Sequence, residues 1–123
     1  MNVVDSSGWL EFFSESKNAK IFAKPIENVA ELLVPSITIA EVFKKILQTK
    51  DEQSALKVAA HMRQGQVVDL DTNLAMSAAR IGYELKLPLA DSIILATARL
   101  YDAILWTQDE DFKNIEGVRY TPK

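Results

Sequence analysis

Five carboxylates of this 123-residue sequence fall where they could act together in metal binding or catalysis. Each follows an apolar stretch or stands near the head of one: Asp5, Glu41, Asp91, Asp109 and Asp111. Two carboxylates ~5 Å apart repel each other by roughly 3 kcal/mol at an effective dielectric near 20, so stability alone does not favour a cluster. Mg²⁺ or Mn²⁺ reverses the sign of that interaction, because both ions prefer hard oxygen ligands. Acidic sites of this kind can activate a water for phosphodiester hydrolysis.

The elements that would position these residues alternate along the chain between apolar strands and amphipathic helices. Strands are predicted at residues 1–4, 32–34, 66–70, 103–107 and 118–120. Between them, the patterns predict helices at residues 7–13 with Ser7 as a cap, 18–23 with an interruption at Pro25, 36–50, about 52–64, about 71–85 and about 89–101. This alternation is typical of an α/β fold with a parallel sheet and right-handed crossovers.

The parallel sheet makes a prediction about where the carboxylates meet. In open α/β sheets, ligands bind beyond the carboxyl ends of the strands. Asp5 directly follows the first strand, and Asp109 and Asp111 follow the fourth. Glu41 lies about two helical turns beyond the second strand, and Asp91 begins the helix that leads into the fourth. We therefore expect all five carboxylates to converge at one edge of the sheet.

Each of these carboxylates also has a simpler structural explanation. Asp5, Asp109 and Asp111 could be caps or turn residues. Glu41 could form an exposed ion pair with Lys45, and Asp91 could stabilise the dipole of its helix. Asp69 and Asp71 are left out of the candidate site, since Asp71 begins a typical capping segment. The single histidine, His61, is interpreted as a surface or structural residue.

Composition excludes several other kinds of site. The sequence has no cysteine, one histidine and four glycines, which excludes thiolate chemistry and leaves no Gly-rich phosphate loop. The net charge of −3 argues against a protein that coats nucleic acid non-specifically. The sequence shows neither a secretory leader nor an apolar run long enough to span a bilayer. We expect one domain over residues 1–123, in the cytoplasm.

Four segments of the chain, together with their order and spacing, resemble the PIN-domain family, and most closely the VapC toxins of toxin–antitoxin pairs. These segments are residues 3–7 (VVDSS), 35–41 (PSITIAE), 87–98 (LPLADSIILATA) and 105–112 (LWTQDEDF). The third and fourth segments together carry most of the specificity. The resemblance implies a PIN-like three-layer fold, in which helices flank a central parallel sheet of about five strands.

The resemblance also implies an activity, a set of site residues and partners. The activity is that of a Mg²⁺- or Mn²⁺-dependent endoribonuclease. Asp5, Glu41, Asp91 and Asp109 would be the catalytic carboxylates, and Ser6 and Thr107 would orient carboxylates or water. We expect Asp5, Asp91 and Asp109 to bind the metal directly, with Asp111 as a further metal residue or one that shares the role of Asp109. Glu41 would bind the metal through water or position the nucleophile. The partners implied are an RNA substrate, a cognate VapB-like antitoxin whose tail covers the acidic site, and a second copy of the chain.

Two alternatives to the nuclease remain at this stage. One is a PIN-like module that binds nucleic acid or antitoxin without turnover, and the other is a phosphotransfer receiver, for which Lys113 is poorly placed. Lys44, Lys45 and Arg99 are weak candidates for contacts with the substrate. A face of small residues would permit close helix packing, and it comprises Ala75, Ala78, Ala79 and Gly82.

Overall fold

A five-stranded parallel sheet organises the computed structural model, which describes all residues from Met1 to Lys123. The strands are β1 (Asn2–Val4), β2 (Leu32–Pro35), β3 (Gln66–Val68), β4 (Ile104–Thr107) and β5 (Val118–Tyr120). The helices are α1 (Ser6–Phe13), α2 (Ala19–Glu27), α3 (Ser36–Thr49), α4 (Glu52–Met62), α5 (Thr72–Leu85) and α6 (Leu89–Leu100). Two 3₁₀ turns lie at Val29–Glu31 and Glu110–Phe112. The predicted α/β class and the parallel sheet of five strands are confirmed.

The strand order β3-β2-β1-β4-β5 locates the point at which the direction of winding reverses. The chain first moves outward from β1 through β2 to β3, and then returns to place β4 on the other side of β1. In such sheets a crevice forms between the two strands at the switch, outside their carboxyl ends. Here those strands are β1 and β4, which end at Val4 and Thr107.

Helices cover the sheet on both faces and form three layers. Trp9, Phe22 and Met62 belong to a buried cluster that packs α1 to α4 against one face of the sheet. A second cluster includes Ile94 and Leu95, and it packs α6 against the other face. Adjacent residues of β1 divide between the two clusters, since Val4 belongs to the first and Val3 to the second. A strand buried on both faces explains the unbroken apolar runs in the sequence.

Aspartates begin several of the helices. The side chain of Asp71 accepts a hydrogen bond from the backbone N–H of Leu74 at 2.8 Å, which confirms it as the cap of α5. Asp51 caps α4 in the same way, through the N–H of Ser54. The prediction that Ser7 caps the first helix is wrong. Asp5 occupies that position, because its carboxylate accepts the N–H of Gly8, and the helix begins at Ser6.

Two other boundaries differ from the sequence prediction. Pro25 lies inside α2 rather than interrupting it, and it is buried with its neighbour Ile26. Burial of this face offsets the hydrogen bond that a proline removes from a helix. The third strand ends at Val68 rather than Leu70. Leu70 is exposed, so no core contact extends the strand to it.

Several leucines of the helices lie outside the core. Leu47 of α3, Leu56 of α4 and Leu85 of α5 are exposed. Leu100, in the last turn of α6, is 64% exposed. The rest of that helix is buried without interruption from Ser92 to Ala98. The helix that carries Asp91 is therefore anchored by its middle turns and not by its last one.

The small-residue face of α5 is used within the chain. A Cβ added at Gly82 would overlap the Ser92 hydroxyl of α6, so the two helices approach too closely there for any side chain. Ala78 is fully buried in a cluster with Ile93 and Ala96 of α6. This packing fixes the start of α6, where Asp91 is next to Ser92.

No helix of this chain has the length and apolar character needed to cross a bilayer.

Candidate active site

Asp5 lies at the carboxyl end of β1 and is held by three hydrogen bonds. Its Oδ1 accepts from the backbone N–H of Gly8 at 2.9 Å and from the hydroxyl of Ser7 at 2.7 Å. Its Oδ2 accepts from the hydroxyl of Thr107 at 2.5 Å. The residue is only 2% exposed. The capping role and the position at the sheet edge are therefore both real, and one carboxylate serves both.

Thr107, the last residue of β4, connects two of the candidate carboxylates. Its hydroxyl donates to Asp5, and the same oxygen accepts the backbone N–H of Asp109 at 2.9 Å. The hydroxyl therefore fixes the distance between the end of β1 and the loop after β4.

Asp91, Asp109 and Asp111 form the centre of the acidic cluster. One carboxylate oxygen from each lies within 4.8 Å of the other two. Oxygens bound to the same Mg²⁺ at about 2.1 Å lie at most about 4.2 Å apart, so small side-chain rotations would bring these three onto one ion. Asp91 lies in the first turn of α6, while Asp109 caps the 3₁₀ turn that contains Asp111. The donor set therefore fits a hard divalent cation.

Glu41 approaches the cluster from α3. Its Oε1 accepts a hydrogen bond from the hydroxyl of Ser6 at 2.5 Å, and Ser6 is adjacent to Asp5 in the chain. The alternative ion pair with Lys45 is absent, since the single salt bridge of the structure joins the N-terminal amine to Glu31. Ser6 thus holds Glu41 toward the site rather than toward solvent.

Burial, together with the neighbouring negative charges, raises the pKa of two of these groups. The pKa of Asp91 is raised to about 7, first by desolvation and then by the charges of Asp109, Asp5, Asp111 and Glu41. The pKa of Asp5 is raised to about 6, mainly by burial, although its bonds from Thr107, Gly8 and Ser7 act in the opposite direction. The charges of all four other candidate carboxylates therefore act on Asp91.

Sequence reasoning missed Ser7 as a contact of Asp5. The signal was present, since a serine two residues after an aspartate at a helix start can bond back to that aspartate. Of the residues left out, Asp71 serves as a helix cap and Asp69 is exposed. His61 packs edge-on against Phe12 and Phe13, with ring centroids 5.6 and 5.4 Å away.

The three basic residues named as possible substrate contacts are all exposed, but they lie in different places. Lys45 lines a groove between α1, α3 and α4 that also contains Ser7 and Gln108, next to the acidic cluster. Arg99 lines a separate cleft between α5 and α6. Lys44 lines neither of these two surfaces.

The family model of the PIN domain matches residues 3–118, which is nearly the whole chain. The chain belongs to the PIN domain family. The matched residues contain all five carboxylates of the site. Membership of this family sets aside the receiver alternative. No curated protein matches the chain by sequence.

Several solved structures share the fold over almost their full length. A toxin–antitoxin complex from Klebsiella pneumoniae has 27% identity and a TM-score of 0.80, and the match covers 100% of this chain and 98% of that one. A DNA-bound VapBC from Salmonella typhimurium has 19% identity and a TM-score of 0.75, with 98% and 96% coverage. A VapC from Mycobacterium tuberculosis that cleaves the sarcin–ricin loop has 12% identity and a TM-score of 0.73, with 94% and 95% coverage. The last two likenesses show the fold alone.

Proposed function

We propose that this PIN domain is a metal-dependent endoribonuclease of the VapC toxin type. The observation that carries the proposal is the group of three carboxylates within 4.8 Å at the switch point of the sheet. The negative charges of these carboxylates repel one another unless a cation binds between them. The likeness to a toxin–antitoxin complex at 27% identity supports the toxin assignment.

Each side chain of the cluster has a distinct role in the proposal. Asp91, Asp109 and Asp111 would hold a Mg²⁺ or Mn²⁺ ion, and Asp5 would contribute to the ligand set from the end of β1. Glu41, oriented by the hydroxyl of Ser6, positions the attacking water. When bound, the ion would lower the pKa of a water ligand and offset charge on the leaving oxygen of the phosphodiester.

The substrate is proposed to be unpaired RNA. One structural neighbour is a toxin that cleaves the sarcin–ricin loop, and a loop offers unstacked bases. Asp111 is exposed and Asp91 and Asp109 are partly exposed, so an RNA strand can reach these carboxylates from solvent. A metal ion bound at this edge of the sheet would offset the repulsion between the RNA phosphates and a protein of net charge −3.

Incubation of total RNA with purified protein and Mn²⁺ tests the activity. We expect discrete cleavage products that disappear when EDTA is added, because the carboxylates cannot activate water without the ion. Asp71→Asn is the matched control, since Asp71 caps α5 outside the cluster and its replacement should leave cleavage within about twofold of wild type. Mn²⁺ binding without any cleavage would instead favour the binding module without turnover.

The groove beside the cluster is the surface that we propose for an antitoxin. Its volume is about 440 Å³, and it runs between α1, α3 and α4. Apolar side chains line its floor and lysines its rim: Leu10, Phe13, Ile46 and Val58, with Lys45, Lys50 and Lys123. An amphipathic segment with acidic residues along its edges complements this lining. Because Gln108 and Ser7 also line the groove, a segment bound there lies directly beside the acidic site.

Leu10→Glu tests this surface. Leu10 is partly buried in the groove, so a carboxylate there would face the apolar side of the bound segment at a large desolvation cost. We expect at least a 100-fold loss of antitoxin affinity in a pull-down or calorimetric titration, with RNA cleavage preserved. The matched control is Leu56→Glu, an exposed leucine of α4 that does not line the groove. Equal antitoxin affinity for Leu10→Glu and wild type would contradict the assignment of the groove.

The homodimer is also part of the proposal. The small-residue face is largely occupied by α6, so it does not supply the contact. Exposed apolar side chains of α5 remain available, since Met76 and Tyr83 are 63% and 87% exposed. They are seven residues apart and therefore lie on one side of the helix.

A further inference from the structure

A buried polar network lies next to the acidic cluster, and it contains none of the proposed metal ligands. Its three side chains come from distant parts of the chain: Glu11 of α1, Asn18 before α2 and Gln108 after β4. Asn18 and Gln108 are 5% and 6% exposed. Amides buried this deeply need hydrogen-bond partners, and both have them within the network.

Hydrogen bonds join these three residues in a closed ring. Glu11 accepts at Oε1 from the Nε2 of Gln108 at 3.2 Å and at Oε2 from the backbone N–H of Asn18 at 2.8 Å. The Nδ2 of Asn18 donates to the Oε1 of Gln108 at 3.0 Å. That nitrogen also donates to the carbonyl of Pro122 at 3.0 Å. We call these three residues the Gln108 ring.

The position of Gln108 in the chain connects this ring to the site. Thr107, which precedes it, donates to Asp5, and Asp109, which follows it, caps the turn that carries Asp111. The segment after β4 thus presents two carboxylates to Asp91, and like charges push it outward. The Gln108 ring holds this segment to α1 and to the loop before α2.

We propose that Gln108, held by Glu11 and Asn18, is a positioning residue for Asp109. It sets the path of the chain between β4 and the 3₁₀ turn, so that the Asp109 carboxylate faces Asp5 and Asp91. The amide of Gln108 bonds to the ring and not to the ion. This inference rests on the proposed metal site, and it adds three residues that the carboxylate pattern does not contain.

Exchanging the side chains of Glu11 and Gln108 tests the ring. In Gln108→Glu, two carboxylates face each other. In Glu11→Gln, the new amide offers one acceptor oxygen to two donors, the Nε2 of Gln108 and the backbone N–H of Asn18. Both single variants should bind Mn²⁺ about 10-fold or more weakly in calorimetric titration of the metal-free protein. The double variant Glu11→Gln with Gln108→Glu can re-form all three bonds of the ring, because only the bond between positions 11 and 108 reverses its donor, while Asn18 still donates to both side chains. Its Mn²⁺ affinity should return to within about 3-fold of wild type.

A control separates positioning from simple loss of stability. Thr97→Val removes a buried hydrogen bond of α6, from the Thr97 hydroxyl to the carbonyl of Ile93, outside the ring. It should lower the melting temperature while leaving Mn²⁺ affinity unchanged. Folded single variants with wild-type affinity, or a double variant as weak as the singles, would overturn the positioning role. A wild-type protein that binds Mn²⁺ without cleaving RNA would remove the proposed nuclease and leave this inference standing.

Discussion

Replacement of Asp91 by asparagine is expected to reduce Mn²⁺-dependent RNA cleavage by at least about 10³-fold, which is ~4 kcal/mol of transition-state stabilisation. The same change should stabilise the metal-free protein at neutral pH. Both effects have one cause, because Asp91 is the carboxylate whose pKa is raised by all four of its acidic neighbours. Asparagine keeps the shape of the side chain but removes the charge that the metal needs.

The stability effect should depend on pH in a definite direction. The pKa of Asp91 is raised in the folded protein from 3.8 to about 7, so the native state holds its proton more tightly than the unfolded chain does. The stabilisation from that proton is complete below about pH 4 and is lost as the pH rises to about 7. Wild type and variant should therefore differ least near pH 4, whereas at pH 8 in EDTA the variant should melt about 2–5 °C higher.

Differential scanning fluorimetry in EDTA at the two pH values measures this difference. Asp69→Asn is the control, since Asp69 is an exposed aspartate that follows β3 outside the cluster. It should change neither cleavage nor the pH dependence of melting. An Asp91→Asn variant that cleaves RNA like wild type, or that melts lower at pH 8, would contradict the assignment of Asp91 as a metal ligand.

Asp109→Asn and Asp111→Asn should differ strongly, with at least a 100-fold loss of Mn²⁺ affinity for the first and about 10-fold or less for the second. Asp109 is half-buried and its charge raises the pKa of both Asp5 and Asp91, whereas Asp111 is exposed and acts on Asp91 alone. The Oδ1 of Asp109 accepts the N–H of Asp111, which leaves its second oxygen for the ion.

The Asp109 variant should still fold, because asparagine caps a turn as well as aspartate does. Circular dichroism checks the fold, and calorimetric titration with Mn²⁺ gives the affinities. Glu110→Gln is the matched control, since Glu110 belongs to the same 3₁₀ turn but lies outside the group of three carboxylates. Equal losses for Asp109→Asn and Asp111→Asn would show that the two carboxylates share the ion equally.

Local sequence signals were sufficient for the elements and for the choice of edge. Apolar runs that do not alternate predicted strands buried on both faces, and β1 shows this, since its two adjacent valines belong to opposite clusters. The Asp71 cap follows from a bond between residues three apart in the chain. Positions of carboxylates after strands are likewise read directly from the chain, because parallel strands end at the same edge.

Competing local signals produced the errors. Ser7 and Asp5 are both good caps, and the choice between them depends on where β1 ends. Pro25 is a strong helix breaker in isolation, but burial against the core keeps α2 continuous around it. Leu100 has the spacing of a core residue and is exposed, since the buried stretch of α6 ends at Ala98.

The sequence by itself determined which residue types stand at the ends of which elements, and hence that carboxylates gather at one edge of a parallel sheet. Only the tertiary structure decided how they are held. The hydroxyl of Thr107 reaches Asp5 across 102 positions of the chain, and Gln108 meets Asn18 across 90. Helix and strand periodicity describe neighbours within a few residues, so they carry no information about such contacts. The order β3-β2-β1-β4-β5 brings these positions together, and with it the charges that raise the pKa of Asp91.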